Sequence, residues 1–270
     1  MSQGLERGIA ILEYLSQHTK GVPLASLSKE LDIPLSATHR LLNTLIDVGY
    51  VQQEDVRENY RLSLKAVSLG MHFRSRNELL DLARPVITKL AAQSGELSRL
   101  GLIDGDRLVW VAKAQGTTSG LRYDPNDGAE APIHCSASGY AWLAQLTEKD
   151  ALALLRARAA DFKRSYGPKA PKSMRETMEQ VALARRQGFA MVKDSVELGT
   201  SSLAAPILGP ESKAVGVLTV AGPTVRLTEA RMHELAPLVI EATELLGKVD
   251  AHRLLTEFLT TSRFFGEKVK

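Results

Sequence analysis

Residues 24–62 read LASLSKELDIPLSATHRLLNTLIDVGYVQQEDVRENYRL, and their order decides the fold of the N-terminal part of the chain. Leu24, Leu27 and Leu31 recur at spacings of three and four, which makes one apolar stripe on a short amphipathic helix. Asp32-Ile33-Pro34 ends that helix, because proline pushes the residue before it out of the helical region and cannot continue the ladder. Ser36 suits the N-cap of a second helix, whose buried stripe is Leu41, Leu45 and Val48 and whose stop is Gly49. Its other side carries Ser36, His39, Arg40, Asn43 and Asp47, all hydrogen-bonding groups. Arg40 has the fork that matches guanine, and Asn43 the amide that matches adenine. Tyr50 to Gln53 and Tyr60 to Leu62 then read as two strands joined by Glu54 to Asn59, a wing that brings Arg57 and Arg61 near phosphates. A helical hairpin that only packs, its polar face solvated, fits the same pattern.

Working outward, Leu5, Ile9, Leu12 and Leu15 predict a first helix that completes a three-helix core. Leu64 to Arg76 reads as a linker helix with Arg74 and Arg76 exposed. Leu79, Leu82, Val86 and Leu90 mark a longer helix in which Pro85 sits near a start or a kink. From Leu97 the pattern turns to strands: Leu100 to Ile103 and Leu108 to Ala112 form a hairpin around Asp104-Gly105. Helices follow at about 137–146, 148–157 and 173–186, then strands at 189–193, 202–207 and 215–221. Met232, Leu235, Val239, Ala242 and Leu246 mark a last helix. Hairpins mixed with helices predict an α+β fold with an antiparallel sheet.

Bulk composition neither finds nor forbids nucleic-acid binding. The 270 residues carry a net charge of +3, and residues 1–77 hold 9 Lys+Arg against 8 Asp+Glu, so no broad basic patch exists. Only the placement of Arg7, Arg40, Arg57 and Arg61 on one face could bind phosphate. With 44% hydrophobic residues the chain can build proper cores. One cysteine, Cys135, excludes an internal disulfide and a zinc ribbon. There is no run of roughly 18 apolar residues and no signal-peptide core, so the expectation is a soluble, cytoplasmic protein with no membrane partner.

Longer stretches carry a specific resemblance. GLERGIAILEYL (Gly4 to Leu15), LSKELDIPLSATHRLLNTLIDVGYV (Leu27 to Val51) and YRLS (Tyr60 to Ser63) resemble the winged helix-turn-helix of the IclR family of bacterial transcription regulators. ARPVITKLAAQSGE (Ala83 to Glu96), IHCSASGYAWLA (Ile133 to Ala144), RRQGFAMVKDSVELGTSSLAAPI (Arg185 to Ile207) and VGVLTVAGPTVRLTEARMHELAPLV (Val215 to Val239) are similar to its effector domain, in order and spacing. The resemblance implies a winged helix-turn-helix over 1–64, a linker helix over 65–78 and a GAF-like effector domain with an antiparallel sheet over 79–250. It leaves 251–270 as a C-terminal extension, whose Leu254, Leu255, Phe258 and Leu259 suggest a docking helix. It also implies a ligand-responsive regulator of a catabolic operon, acting as a homodimer or homotetramer on an approximately palindromic double-stranded operator.

Carried over from the family, the effector pocket comprises Ala131, Ala137, Ser138, Val192, Thr200, Ser202, Thr219 and Ala221. Members that take small keto acids tend to have an acidic residue where this chain has Val192, a cysteine at Ser202, and serines at Thr219 and Ala221. The less polar pocket points instead to a carboxylic acid with an apolar or aromatic body. Arg122 is either the fork for that carboxylate or an exposed arginine paired with Asp124. His134 either meets the ligand or caps the next helix. Tyr123 would face away from Arg122 if the strand is regular.

An enzyme would have to start from His134-Cys135, whose side chains point oppositely on an extended segment. GxSxG, HExxH, GxGxxG and metal-ligand clusters are absent, so neither catalysis nor a cofactor is expected. A third reading, a ligand-binding module whose first domain contacts only protein, also fits a first domain of net +1.

Overall fold

The computed structural model describes residues 2–54, 58–75, 78–125, 128–209 and 212–248. Arg57, Arg76, the side chain of Arg74 and the extension 251–270 lie outside the described residues. The chain divides into two compact units, Met1–Arg76 and Asn77–Lys270.

The first unit packs α1 (Gln3–Ser16), α2 (Leu24–Glu30) and α3 (Leu35–Asp47) beneath a two-stranded antiparallel ribbon of β1 (Val51–Gln53) and β2 (Tyr60–Leu62). It ends in α4 (Leu64–Ser75). Its core is Ile11, Leu15, Val22, Leu27, Ile33, Leu42, Val51 and Tyr60. The α2–α3 turn works as the proline predicts. Asp32 takes the left-handed conformation at φ 50°, Ile33 is buried, and Pro34 occupies the position before α3. Ser36 is therefore not the N-cap; it lies inside the first turn, and no side chain caps α3. Thr38 holds the turn instead, bonding the carbonyls of Ile33 and Pro34 at 3.3 and 3.2 Å.

Two stripes are rotated from expectation. In α3 it is Thr38 and Leu42 that are buried, Leu41 and Leu45 are half-buried, and Val48 is exposed. In α1 it is Ile11 and Leu15 that enter the core, while Leu5 and Ile9 are exposed. Gly49 has φ 81°, the left-handed geometry a helix end favours.

The second unit is a five-stranded antiparallel sheet in the order β4-β3-β7-β6-β5. The strands are β3 (Leu97–Asp104), β4 (Arg107–Gln115), β5 (Ala190–Lys193), β6 (Thr200–Leu208) and β7 (Ala214–Pro223). One face carries Leu100, Leu102, Leu203, Ala205, Leu218 and Val220 against α5 (Glu78–Ser94) and α9 (Glu229–Lys248). The other carries Ile103, Trp110, Ala190, Ala204 and Val217 against α6 (Ala137–Leu143), α7 (Glu148–Ala157) and α8 (Met174–Gln187). The core of α5 uses Leu80, Ala83, Ile87 and Leu90: Leu90 is buried as expected, while the first three lie one residue beyond the expected Leu79, Leu82 and Val86, and Leu82 is exposed. Pro85 lies within α5, and the helix runs through it.

Candidate functional site

Two surfaces carry the polar chemistry, one in each unit. In the first, α3 exposes Ser36, His39, Arg40, Asn43 and Asp47. Leu35 lies in one row with His39 and Asn43 at spacings of four, and it is 52% exposed at the first residue of the helix. The sequence pattern did not mark Leu35, because a leucine among hydrogen-bonding groups reads as core. Arg61 stands on β2 opposite Gln52, half-exposed and 3.4 Å from Glu54. Lys65 braces the far end of α3 by donating to the Val48 carbonyl at 2.7 Å, beside the Tyr50 ring. Arg7 is half-buried on α1.

In the second unit a cavity of about 290 Å³ opens over one end of the sheet. Strand register builds its floor. Ala221 pairs with Ser202 and Ser202 with Val192 in one row; Arg99 pairs with Thr219 in a row of the same face. Walls come from Trp110, Tyr123, Glu130, Ser136, Ser138, Val196 and Thr200. The Arg99 guanidinium lies 4.0 Å over the Trp110 ring and is buried with it. The hydroxyls of Ser201 and Thr219, both buried, have no hydrogen-bond partner. Ser136 caps α6 by accepting from the Gly139 amide at 3.0 Å and also bonds the Ser138 hydroxyl. Burial works against ionisation of Glu130, but Arg158 at 2.8 Å and Arg107 beside it hold the carboxyl below its usual range. That carboxylate is thus matched by two cations within the wall. Burial, then the charge of Glu197, raises the Tyr123 phenol, with Arg99 pulling the other way.

Of the residues expected in an effector pocket, Ser138, Val192, Thr200, Ser202, Thr219 and Ala221 come together here. Four others do not. Arg122 is 58% exposed, 3.4 Å from Asp124 and outside the cavity lining, and the guanidinium that lines the cavity is that of Arg99. The segment around Arg122 and Tyr123 is no regular strand, which lets Tyr123 line the wall. His134 neither lines the cavity nor caps α6. It is buried between Phe162 and Tyr166, and that burial lowers its pKa despite the nearby charge of Asp161. Ala131 and Ala137 sit in the core behind the lining.

Cys135 is buried, and that burial, reinforced by Asp161, pushes its thiol up to about 12, which disfavours the thiolate. Asp194 accepts from the Gly199 amide at 2.8 Å within its own loop. A larger depression of about 410 Å³ runs along the outer edge of β5, but its rim mixes Lys169 and Lys193 with Glu176, Glu179 and Glu229. No unpaired buried hydroxyl lines it among the described residues, so the cavity over the sheet is the better-built site.

A winged helix with a hydrogen-bonding α3 face, in one chain with a half-open cavity lined by hydroxyls and one stacked guanidinium, is the layout of a ligand-sensing DNA-binding protein. The chain belongs to the IclR family of bacterial transcriptional regulators. The pattern for the IclR helix-turn-helix domain matches residues 4–55, and that for the C-terminal part of these bacterial transcriptional regulators matches residues 71–247. The chain is 28% identical to the acetate operon repressor of Salmonella typhimurium over 243 residues, 90% of this chain and 88% of that one. In fold it is similar to the IclR transcriptional regulator of Alicyclobacillus acidocaldarius, at TM-score 0.78 and 20% identity, covering 92% of this chain and 98% of that one. An IclR homologue from Microbacterium hydrocarbonoxydans, solved in complex with 4-hydroxybenzoate, matches at TM-score 0.69 and 18% identity over 91% and 98% of the two chains. These relatives and neighbours are transcription regulators, not enzymes. No helix among the described residues is long and apolar enough to cross a membrane.

Proposed function

We propose that the chain controls a catabolic operon in response to a small organic acid with an apolar or aromatic body, bound in the cavity over the sheet. The observation that carries this reading is the Arg99 guanidinium stacked on Trp110 in the lining of that cavity. A guanidinium fork orients a carboxylate, and stacking fixes the plane of that fork. Thr219, the cross-strand neighbour of Arg99, and Ser138 and Ser202 supply hydroxyls for further hydrogen bonds. Val192 and Ala221 give the body of the ligand an apolar seat, with Tyr123 beside it. The 4-hydroxybenzoate held by the Microbacterium homologue is an acid of this kind. The effector acts by binding one arrangement of subunits better than another, so that it shifts the population between DNA-competent and incompetent assemblies.

On the DNA side, Ser36, His39, Arg40 and Asn43 read base edges, and Leu35 meets a thymine methyl at the N-terminal end of α3. Arg61 contacts phosphate, with Arg7, and with Arg57 from outside the described residues. Exposed Leu5 and Ile9 on α1, and Leu64, Val67, Leu69 and Met71 on α4, offer the apolar surface through which two chains pair on a palindrome.

Fluorescence anisotropy on a duplex selected from genomic DNA tests the assignment. Arg40→Ala is expected to weaken the selected site by roughly 1–3 kcal/mol and relax the preference at one base pair. Arg61→Ala is expected to weaken all duplexes alike and flatten the salt dependence. Equal losses with an unchanged salt slope in both variants overturn the assignment of helix and wing.

A further inference from the structure

Helices α5 and α9 leave a groove of about 160 Å³ between them, lined by Val86 and Lys89 from the first and by Leu238, Glu241, Ala242 and Leu245 from the second. A helix face that met only water would be polar, yet this seam is mostly aliphatic. Leu245 is 51% exposed, while its neighbour Leu246 is buried and holds the last turn of α9 on the core. Leu82, one turn before Val86, prolongs the apolar row at 43% exposure. Lys89 and Glu241 cancel in charge, so the groove suits an apolar segment of mixed charge better than nucleic acid or an acidic peptide. Such a segment follows at once. α9 ends at Lys248, and residues 249–270 read VDAHRLLTEFLTTSRFFGEKVK.

We infer that residues 254–265 lie in this groove as an amphipathic helix folded back along α9 of the same chain. Leu254, Leu255, Phe258 and Leu259 recur at helical spacing, and Phe265, seven residues past Phe258, falls on the same side. A helix over 254–265 reaches about 18 Å, more than the roughly 10 Å of α9 between Leu238 and Leu245. Residues 249–253 make the turn, within the about 2–8 residues usual between packed helices. Nearness selects the occupant: a segment on so short a connection meets the groove at roughly millimolar effective concentration, which outcompetes a second copy at micromolar protein. Phe258 then stands over Leu245, and the seam is closed to water.

Hydrogen exchange on the full chain, read by mass spectrometry, tests this. The amides of residues 254–265 exchange at least about tenfold more slowly than in a free peptide of the same sequence. Leu245→Asp, at an exposed position, and Phe258→Asp, beyond the folded core, each return them to the rate of the matching peptide. Exchange at the peptide rate in the parent, or protection that survives Leu245→Asp, overturns the docking. Cross-linking fixes the geometry, because Cys135 is buried and leaves introduced thiols to be read alone. Leu245→Cys with Phe258→Cys forms a disulfide within one chain at least about tenfold faster than Leu245→Cys with Thr260→Cys, which stands on the other side of the segment. Equal rates overturn the assigned face; a disulfide that joins two chains overturns the fold-back and makes a second copy the occupant.

Discussion

Arg99→Ala is expected to lower the affinity for an aromatic acid such as 4-hydroxybenzoate by at least about 30-fold, since a hydrogen bond to a charged partner contributes roughly 1.5–3 kcal/mol and the fork makes two. The expected ligand presents its carboxylate to Arg99 and Thr219, neighbours across β3 and β7, and lays its ring toward Val192 and Ala221. The acid should then lose its advantage over the corresponding amide in the variant, while the parent keeps it. Arg99→Lys retains the charge but neither the fork nor the planar stack on Trp110, so it should fall between the two. Arg122→Ala is the control: it lies outside the cavity lining and should bind like the parent. Val192→Asp, which sets a second negative charge beside the ligand, should weaken binding as Arg99→Ala does. Calorimetry on these variants settles the anchor. Equal binding of acid and amide by the parent, or a full loss in Arg122→Ala, contradicts it.

Gly139→Ala is expected to destabilise the C-terminal unit by about 3 kcal/mol or more, although alanine in a helix interior usually gains roughly 0.5–1 kcal/mol over glycine. The sign reverses because a Cβ at Gly139 would run into the backbone of Ile133, its carbonyl oxygen and Cα included. Backbone cannot swing aside as the end of a side chain can. The start of α6, where Ser136 and Ser138 line the cavity, would have to move with it. At roughly 2–4 °C per kcal/mol for a domain of this size, the melting temperature should drop by about 6–12 °C. Gly188→Ala is the comparison: that residue closes α8 at φ 78° with no atom near its missing Cβ, so only its local backbone strain is felt. A melting curve for Gly139→Ala that overlays the parent contradicts the close approach.

Sequence pattern resolves what is local and loses what depends on register. The α2–α3 turn was legible because Pro34 acts on its immediate neighbours, and α7 runs over Glu148–Ala157 as expected because Thr147 caps its start. In α5 the apolar residues are dense enough to offer two adjacent stripes. Packing against β3 and α9 chose the one through Ala83 rather than the one through Leu82. Arg99 escaped notice for a related reason. It precedes the apolar run Leu100 to Ile103, and only the pairing of β3 with β4 and β7 sets it over Trp110 and beside Thr219. Arg122 looked more apt because it stands in a polar loop, where charge is visible, yet there it meets Asp124 and solvent. His134 drew attention beside Cys135, but the ring is enclosed by Phe162 and Tyr166, which lie some 28 to 32 positions further along the chain. Small hydroxyls follow the family pattern more simply: Ser138, Ser202 and Thr219 stand at positions the IclR resemblance marks, and the start of α6 brings the first, the sheet the other two, to one cavity.

The central claim is that one chain joins a DNA-reading helix to an acid-sensing cavity and that the two are coupled. Its most direct measurement is the affinity of the full protein for its selected duplex, titrated with 4-hydroxybenzoate and with benzamide-type amides at fixed salt. The account predicts an affinity change of about fivefold or more with the acid and none with the amide, and it predicts that Arg99→Ala binds the same duplex but no longer responds to the acid. An acid response that persists in Arg99→Ala, or a parent that binds the acid with no change in its hold on DNA, would contradict it.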